Sequence, residues 1–369
     1  MKYFKYILSC ILIVGSIATL LANPVELKKF DKRIAKEFTI EAGGTIDISN
    51  KYGDVDIETH DDNKVSFVVD IIVEAKDEDR AREIMDQIEI EFGNTDSHVE
   101  AETNLNFNNS RSWRKRNESY KINYTVMMPR DVDLELYNKY GNISVTSILG
   151  AADIELRYGS GYLQDIGKDL DLELGYAKSF EMGRIGGDLD LEIAYSHFNA
   201  TEAHDTDIES KYSHIGIDQV SALSVDAKYD QYTIGKASSI DISGKYDNYK
   251  IGSCGSFKID TKYTGVKIES LSQSAEIYNE YGNIEIKELG SQFKKVFIKG
   301  KYAGLKINLL GGAIFDIETE YTSVDLPDDI ETSYRDKDGN ELTLKGFVHD
   351  KSAGLIEAYM KYGSLRVRD

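Results

Sequence analysis

Ile242–Ser270 reads ISGKYDNYKIGSCGSFKIDTKYTGVKIES, and a lysine–tyrosine pair returns in it after 17 residues. The phrase recurs along the chain as NKYG, RYGS, KYSH, KYDQ, KYAG and NEYG. Taking Tyr140 as position zero, its equivalents are Tyr158, Tyr176, Tyr195, Tyr212, Tyr229, Tyr246, Tyr263, Tyr281, Tyr302 and Tyr321. The steps run from 17 to 21 residues, and Tyr52 and Tyr362 carry the same local pattern outside this array. Thirteen of 24 tyrosines therefore share one register, which abundance alone does not explain.

Apolar residues recur around each tyrosine at −6, −4, +3, +5 and often +8. In the quoted stretch these include Ile242, Tyr249, Ile251, Cys254, Ile259, Val266 and Ile268. Alternation of period two marks strands, and the three-residue step from zero to +3 marks a bend. Each unit is expected to hold two short strands, with a third near +8. One unit cannot bury its apolar face alone; stacking units in parallel makes a continuous core and pairs their backbones. The spacing thus predicts an all-β, elongated parallel β-solenoid, its eleven consecutive coils forming a rod of roughly 50 Å. The tyrosines are expected to form one ladder at a corner. Compact residues at −2 (Ser210, Ala227, Gly244, Thr261, Asn279, Gly300, Thr319) are expected to leave room beside the rings. Antiparallel hairpins would give similar alternation but explain the once-per-coil tyrosine less well. Handedness does not follow from the pattern.

The ends differ from the array. Residues 1–22, MKYFKYILSCILIVGSIATLLA, place Lys2 and Lys5 before an apolar run closed by Ala22, the form of a cleavable signal peptide. A retained anchor is the competing reading, and the run is short for a span. Residues 23–139 are less regular: VSFVVDIIVEA reads as a strand, DEDRAREIMDQI as a short helix, and the segment as an N-terminal cap over exposed strand edges. Residues 140–326 hold the repeats, and residues 327–369 an insertion followed by one restored coil, LIEAYMKYGSLRV.

The formal charge is −20, and losing Lys2 and Lys5 makes the mature chain more acidic still. Such a surface repels nucleic acid and anionic lipid headgroups. Of the two cysteines only Cys254 lies beyond the signal-like segment, so no internal disulfide framework is expected. Cys254 takes an apolar repeat position, which points to packing.

NKYGNISV at Asn138–Val145 and NEYGNIEI at Asn279–Ile286, with the strand–helix–strand start, resemble uncharacterised bacterial cell-envelope β-strand-repeat proteins. These are related to the adhesin head (GIN) domains of candidate autotransporters. The resemblance implies export and a β-solenoid, and it offers no catalytic residues to transfer. No C-terminal membrane barrel is evident beyond the repeats, so self-translocation is not carried over.

Three features are candidates for chemistry or contact. Asp153, Asp171, Asp190 and Asp207, with Glu155, Glu173, Glu192 and Glu209, make acidic columns beside the lysine column Lys211, Lys228, Lys245 and Lys262. A solvated charged face is the plain reading and divalent-cation capture the sharper one, without EF-hand spacing to support it. A polysaccharide-acting β-helix enzyme would need converging acids breaking the period, and these carboxylates follow it. His197 and His214 fall at +2 on consecutive coils, within reach of a shared metal that His204 or Asp205 would have to complete. No metal and no cofactor is assigned. The basic segment RSWRKR (Arg111, Trp113, Arg114, Lys115, Arg116) is the candidate contact with an envelope protein or glycan, against a packed charged loop. The expected function is a non-catalytic, exported scaffold or adhesion protein, in the periplasm or peripheral to the envelope.

Overall fold

The computed structural model describes residues 26–107 and 118–369. Its strands join into an elongated, largely parallel β-solenoid. In each coil one strand runs toward the tyrosine, the chain turns, and a second strand leaves along a second wall. Ala152–Arg157 pairs in parallel with Leu134–Lys139 before it and Leu170–Gly175 after it. On the other wall Gly161–Leu163 pairs with Ile143–Val145. In the middle of the rod the two strands merge. His197–Lys211, His214–Lys228, Gln231–Lys245 and Asn248–Lys262 each run 15 residues without a break, in place of the expected two or three short segments.

Parallel pairing in this register stacks like residues. Val225, Ile242, Ile259 and Ile277 are successive partners, as are Ile217, Ile234, Ile251 and Ile268, and all are buried. Each inward column thus becomes a continuous apolar spine, and period-two alternation puts charged neighbours outside.

The corner has an unusual backbone. All thirteen register tyrosines have positive φ, from 47° to 67°. This left-handed conformation costs an L-residue roughly 1–2 kcal/mol. Compensation comes from the sheet, which continues through the bend: the amide of Tyr140 donates to Arg157 O at 2.9 Å and that of Tyr246 to Lys262 O at 3.0 Å. The residue after each tyrosine points inward at close quarters. At Gly141 an added β-carbon would lie 1.7 Å from Gly53 O, so no side chain fits there.

The −2 residues also face inward. Ser210 bonds the buried groups Asp230 and Tyr232, and a β-carbon on Gly244 would meet Asp247. They make room for interior polar groups, so the expectation that they serve the ladder rings is corrected.

The helix Glu78–Met85, capped by Asp77 accepting from Arg80 N, buries Ala81 and Ile84 at the N-terminal end. There Lys28–Thr39, Lys64–Ala75 and Ser119–Pro129 are antiparallel neighbours. At the other end the hairpin Glu331–Asp338/Glu341–Val348 lies antiparallel to Ala313–Glu320. One expectation about succession is corrected. Leu355–Lys361 pairs with both Lys295–Lys301 and Ala313–Glu320, so the Tyr362 coil lies between those of Tyr302 and Tyr321.

Candidate interaction surfaces

Thirteen rings form the tyrosine edge, from Tyr52 on Tyr140 at 4.9 Å to Tyr321 on Tyr362 at 5.1 Å. In the middle, Tyr246 and Tyr263 are 4.9 Å apart with planes 3° from parallel. Stacking covers ring faces and leaves edges and hydroxyls to solvent; Tyr246 remains 46% exposed. Some of the neighbouring lysines lean over the rings: half-buried Lys139 has its Nζ 5.2 Å from the Tyr140 centroid, and exposed Lys228 has its Nζ 5.6 Å from that of Tyr229.

The acidic columns are real register partners: Asp153–Asp171–Asp190–Asp207 on one line and Glu155–Glu173–Glu192–Glu209 on the next. Glu135 and Asp47 continue the first line into the N-terminal region, where irregular spacing hid them from the repeat. Burial, and then neighbouring carboxylates, raise Asp153 and Asp171 above the ordinary range. Burial also raises Glu173, opposed by Arg157, whose guanidinium bonds both Glu155 and Glu173.

His197 and His214 stack face to face, centroids 4.5 Å apart and planes 3° from parallel. Nitrogen lone pairs lie in the ring plane, so parallel rings do not aim them at one ion. The geometry disfavours the shared-metal idea. Among the described residues, Asp329, His349 and Asp369 form a group whose ligand atoms lie within 4.8 Å of one another. All three are exposed, and His349 Nε2 already pairs with Asp329 Oδ2 at 3.0 Å. No pattern announced this group, because Asp329 and His349 lie in the segment that interrupts the repeat and Asp369 follows the restored coil. Arg111, Trp113, Arg114, Lys115 and Arg116 lie outside the described residues.

An aromatic patch breaks the charged face near the C-terminal end. Phe297 lies 5.6 Å from Tyr278 and 6.0 Å from Tyr359, with rings tilted 51° and 49°. Tilted rings do not cover one another as the ladder rings do. Their rims are polar: Tyr278 bonds Glu276 and Tyr359 bonds Glu357, each at 2.9 Å, and Lys295 bridges Glu357 while lying 5.5 Å over Phe297. Shallow grooves of about 880 and 570 Å³ meet at this patch, the first lined by Asp205, Ser239 and Lys258, the second by Lys299, Glu318 and Leu342. The sequence reading missed it because Phe297 takes a place that other coils give to charged residues.

The interior holds a polar line of its own. In five successive coils the amide after the corner donates to the side chain one coil on: Ala177 to Ser196, Ser196 to Ser213, Ser213 to Asp230, Asp230 to Asp247 and Asp247 to Thr264. These amides point away from the sheet ladder, and buried N–H groups need partners. Cys254 is buried among apolar neighbours, and burial pushes its thiol up to about 12. That thiol is not poised for nucleophilic chemistry.

No protein-family model matches the sequence, and no curated protein matches it. Among solved structures, a candidate cell adhesion protein from Clostridium sporogenes is 12% identical, covering 91% of this chain and 99% of its own, with a TM-score of 0.18. A candidate adhesin from Bacteroides fragilis is 11% identical over 74% of this chain and 96% of its own, with a TM-score of 0.22. One from Parabacteroides distasonis is 11% identical over 91% and 97%, with a TM-score of 0.23. At these scores the likenesses carry no argument, and the fold rests on the strand pairing described above.

Proposed function

We propose that the protein is a non-catalytic, exported envelope scaffold or adhesion protein that holds a partner along its outer faces. The observation that carries this reading is the Tyr278–Phe297–Tyr359 patch, where two grooves meet on an otherwise charged wall. Aromatic rings with polar rims supply contact area and orientation together, the composition expected of a contact surface. The signal-like residues 1–22 support export, to the periplasm or the envelope periphery. Arg111–Arg116 remains a second proposed contact segment.

Bond chemistry needs an acid and base, or a nucleophile and its base, converging on one reacting atom. The outer carboxylates instead lie in regular lines along the rod, which favours contact over turnover. Incubating the purified mature protein with envelope polysaccharides and envelope extracts tests this. Retention of a partner without cleavage is the expected result. Turnover abolished by one or two acidic substitutions would overturn it.

A further inference from the structure

Two consecutive coils carry an aspartate after the corner tyrosine and a second tyrosine two residues later. The first set is complete. Ser210 Oγ lies 2.8 Å from Asp230 Oδ2 and 2.6 Å from the Tyr232 hydroxyl, joining carboxylate to phenol. Asp230 also accepts from Ser213 N at 2.6 Å and Lys228 N at 2.8 Å.

The second set, Asp247 and Tyr249, repeats the first one coil on, and the rings of Tyr232 and Tyr249 stack at 4.9 Å. The residue corresponding to Ser210 is Ala227, which has no hydroxyl to offer. Asp247 Oδ1 accepts from Asp230 N, but Asp247 Oδ2 and the Tyr249 hydroxyl have no hydrogen-bond partner. Both residues are buried, at 4% and 1% exposure. Gly244 removes a further side chain beside them. The position its β-carbon would take lies 2.5 Å from Asp247 Oδ2, 2.8 Å from Ala227 O and 3.4 Å from the Ala227 methyl. No side chain fits at that position, and the two partnerless buried oxygens beside it, with no serine hydroxyl between them, are polar groups of the kind a buried water satisfies.

We propose that Ala227 and Gly244 form a one-water site against Asp247 and Tyr249, and that this carboxyl makes the middle of the rod a proton-sensitive joint. The water stands in for the serine hydroxyl of the preceding coil. It donates to Asp247 Oδ2 when the carboxyl is charged and accepts from it when the carboxyl is protonated.

The surroundings favour the protonated form. The preceding coil presents the Asp230 carboxylate and the Tyr232 phenol, its own coil Tyr249, and the following coil only the neutral Thr264. Burial is the main cause of a rise to about 7, with the Asp230 carboxylate adding to it and the amides of Asp230, Tyr229 and Lys245 opposing. A raised carboxyl stabilises the fold fully below its unfolded value near 4, and that contribution is lost as pH rises through the folded value. Acid tightens the joint and neutral-to-alkaline pH loosens it.

The test is urea unfolding of the mature protein at pH 5 and pH 8, for wild type, Asp247→Asn and Ala227→Ser. The wild-type folding constant is expected to fall roughly a hundredfold more than that of Asp247→Asn over this interval. Ala227→Ser, restoring the bridge that Ser210 makes, is expected to reduce the fall, and it remains informative if Asp247→Asn fails to fold. A high-resolution crystal structure is expected to show one water on Asp247 Oδ2 in wild type and none in Ala227→Ser. Equal pH dependence in wild type and the folded variants would overturn the joint, and a dry wild-type site would overturn the water.

Discussion

Tyr302 and Tyr362 stack with centroids 5.0 Å apart although the Tyr321 coil lies between them in sequence. The last strands of the chain are therefore wedged inside the stack. Removing residues 355–369 should unpair Lys295–Lys301 and Ala313–Glu320 together and expose two strand edges. The expected outcome is aggregation or loss of cooperative unfolding, read by size-exclusion chromatography and thermal melts. A truncated protein melting like the intact one would refute the wedge.

Because the Tyr246 ring is half exposed, Tyr246→Ala should cost about 1–2 kcal/mol, below the usual range for emptying a buried aromatic site. Its φ of 67° adds a second expectation: Tyr246→Gly should be milder than Tyr246→Ala, since glycine adopts this conformation without strain. Urea midpoints of the two variants decide it, and a more damaging glycine would contradict the backbone account.

Ile242 sits in the apolar spine between Val225 and Ile259, 1% exposed. Ile242→Ala should cost about 2–5 kcal/mol, because stacked rigid coils close poorly over a cavity. A loss well under 1 kcal/mol would mean that the spine is loosely packed.

Cys254, raised to about 12 by burial, should resist thiol reagents at pH 8 until the protein unfolds. Mass spectrometry of the labelled peptide checks this. Rapid modification of native protein would place the thiol at the surface.

Arg157 separates Glu155 from Glu173. Arg157→Ala should leave the two carboxylates facing each other and cost about 1 kcal/mol at neutral pH, with recovery in acid or high salt. A loss that salt does not touch would assign the effect to packing instead.

The solenoid itself was legible because a 17-to-21-residue period carries both the alternation of the strands and the place of the bend. The left-handed tyrosines were not legible, since period-two patterning reports which way a side chain faces and says nothing of the sign of φ. The inward run Ser196, Ser213, Asp230, Asp247 was missed for a related reason: polar residues beside a bend read as solvent-facing until the amides they satisfy are seen. The place of the Tyr362 coil depends on pairing across an intervening hairpin, which local spacing does not encode. Phe297, Tyr278 and Tyr359 come together only through strand register, so no short motif announces the patch.

The claim that this patch is the contact face is tested most directly by placing a photo-crosslinking residue at Phe297, and at exposed Asn199 as a control, in protein expressed in its native cells. The account predicts that the Phe297 position captures one discrete envelope component, identified by mass spectrometry or glycan analysis, and that Asn199 does not. Exported, folded protein that captures nothing at Phe297, or the same material at both positions, would contradict it.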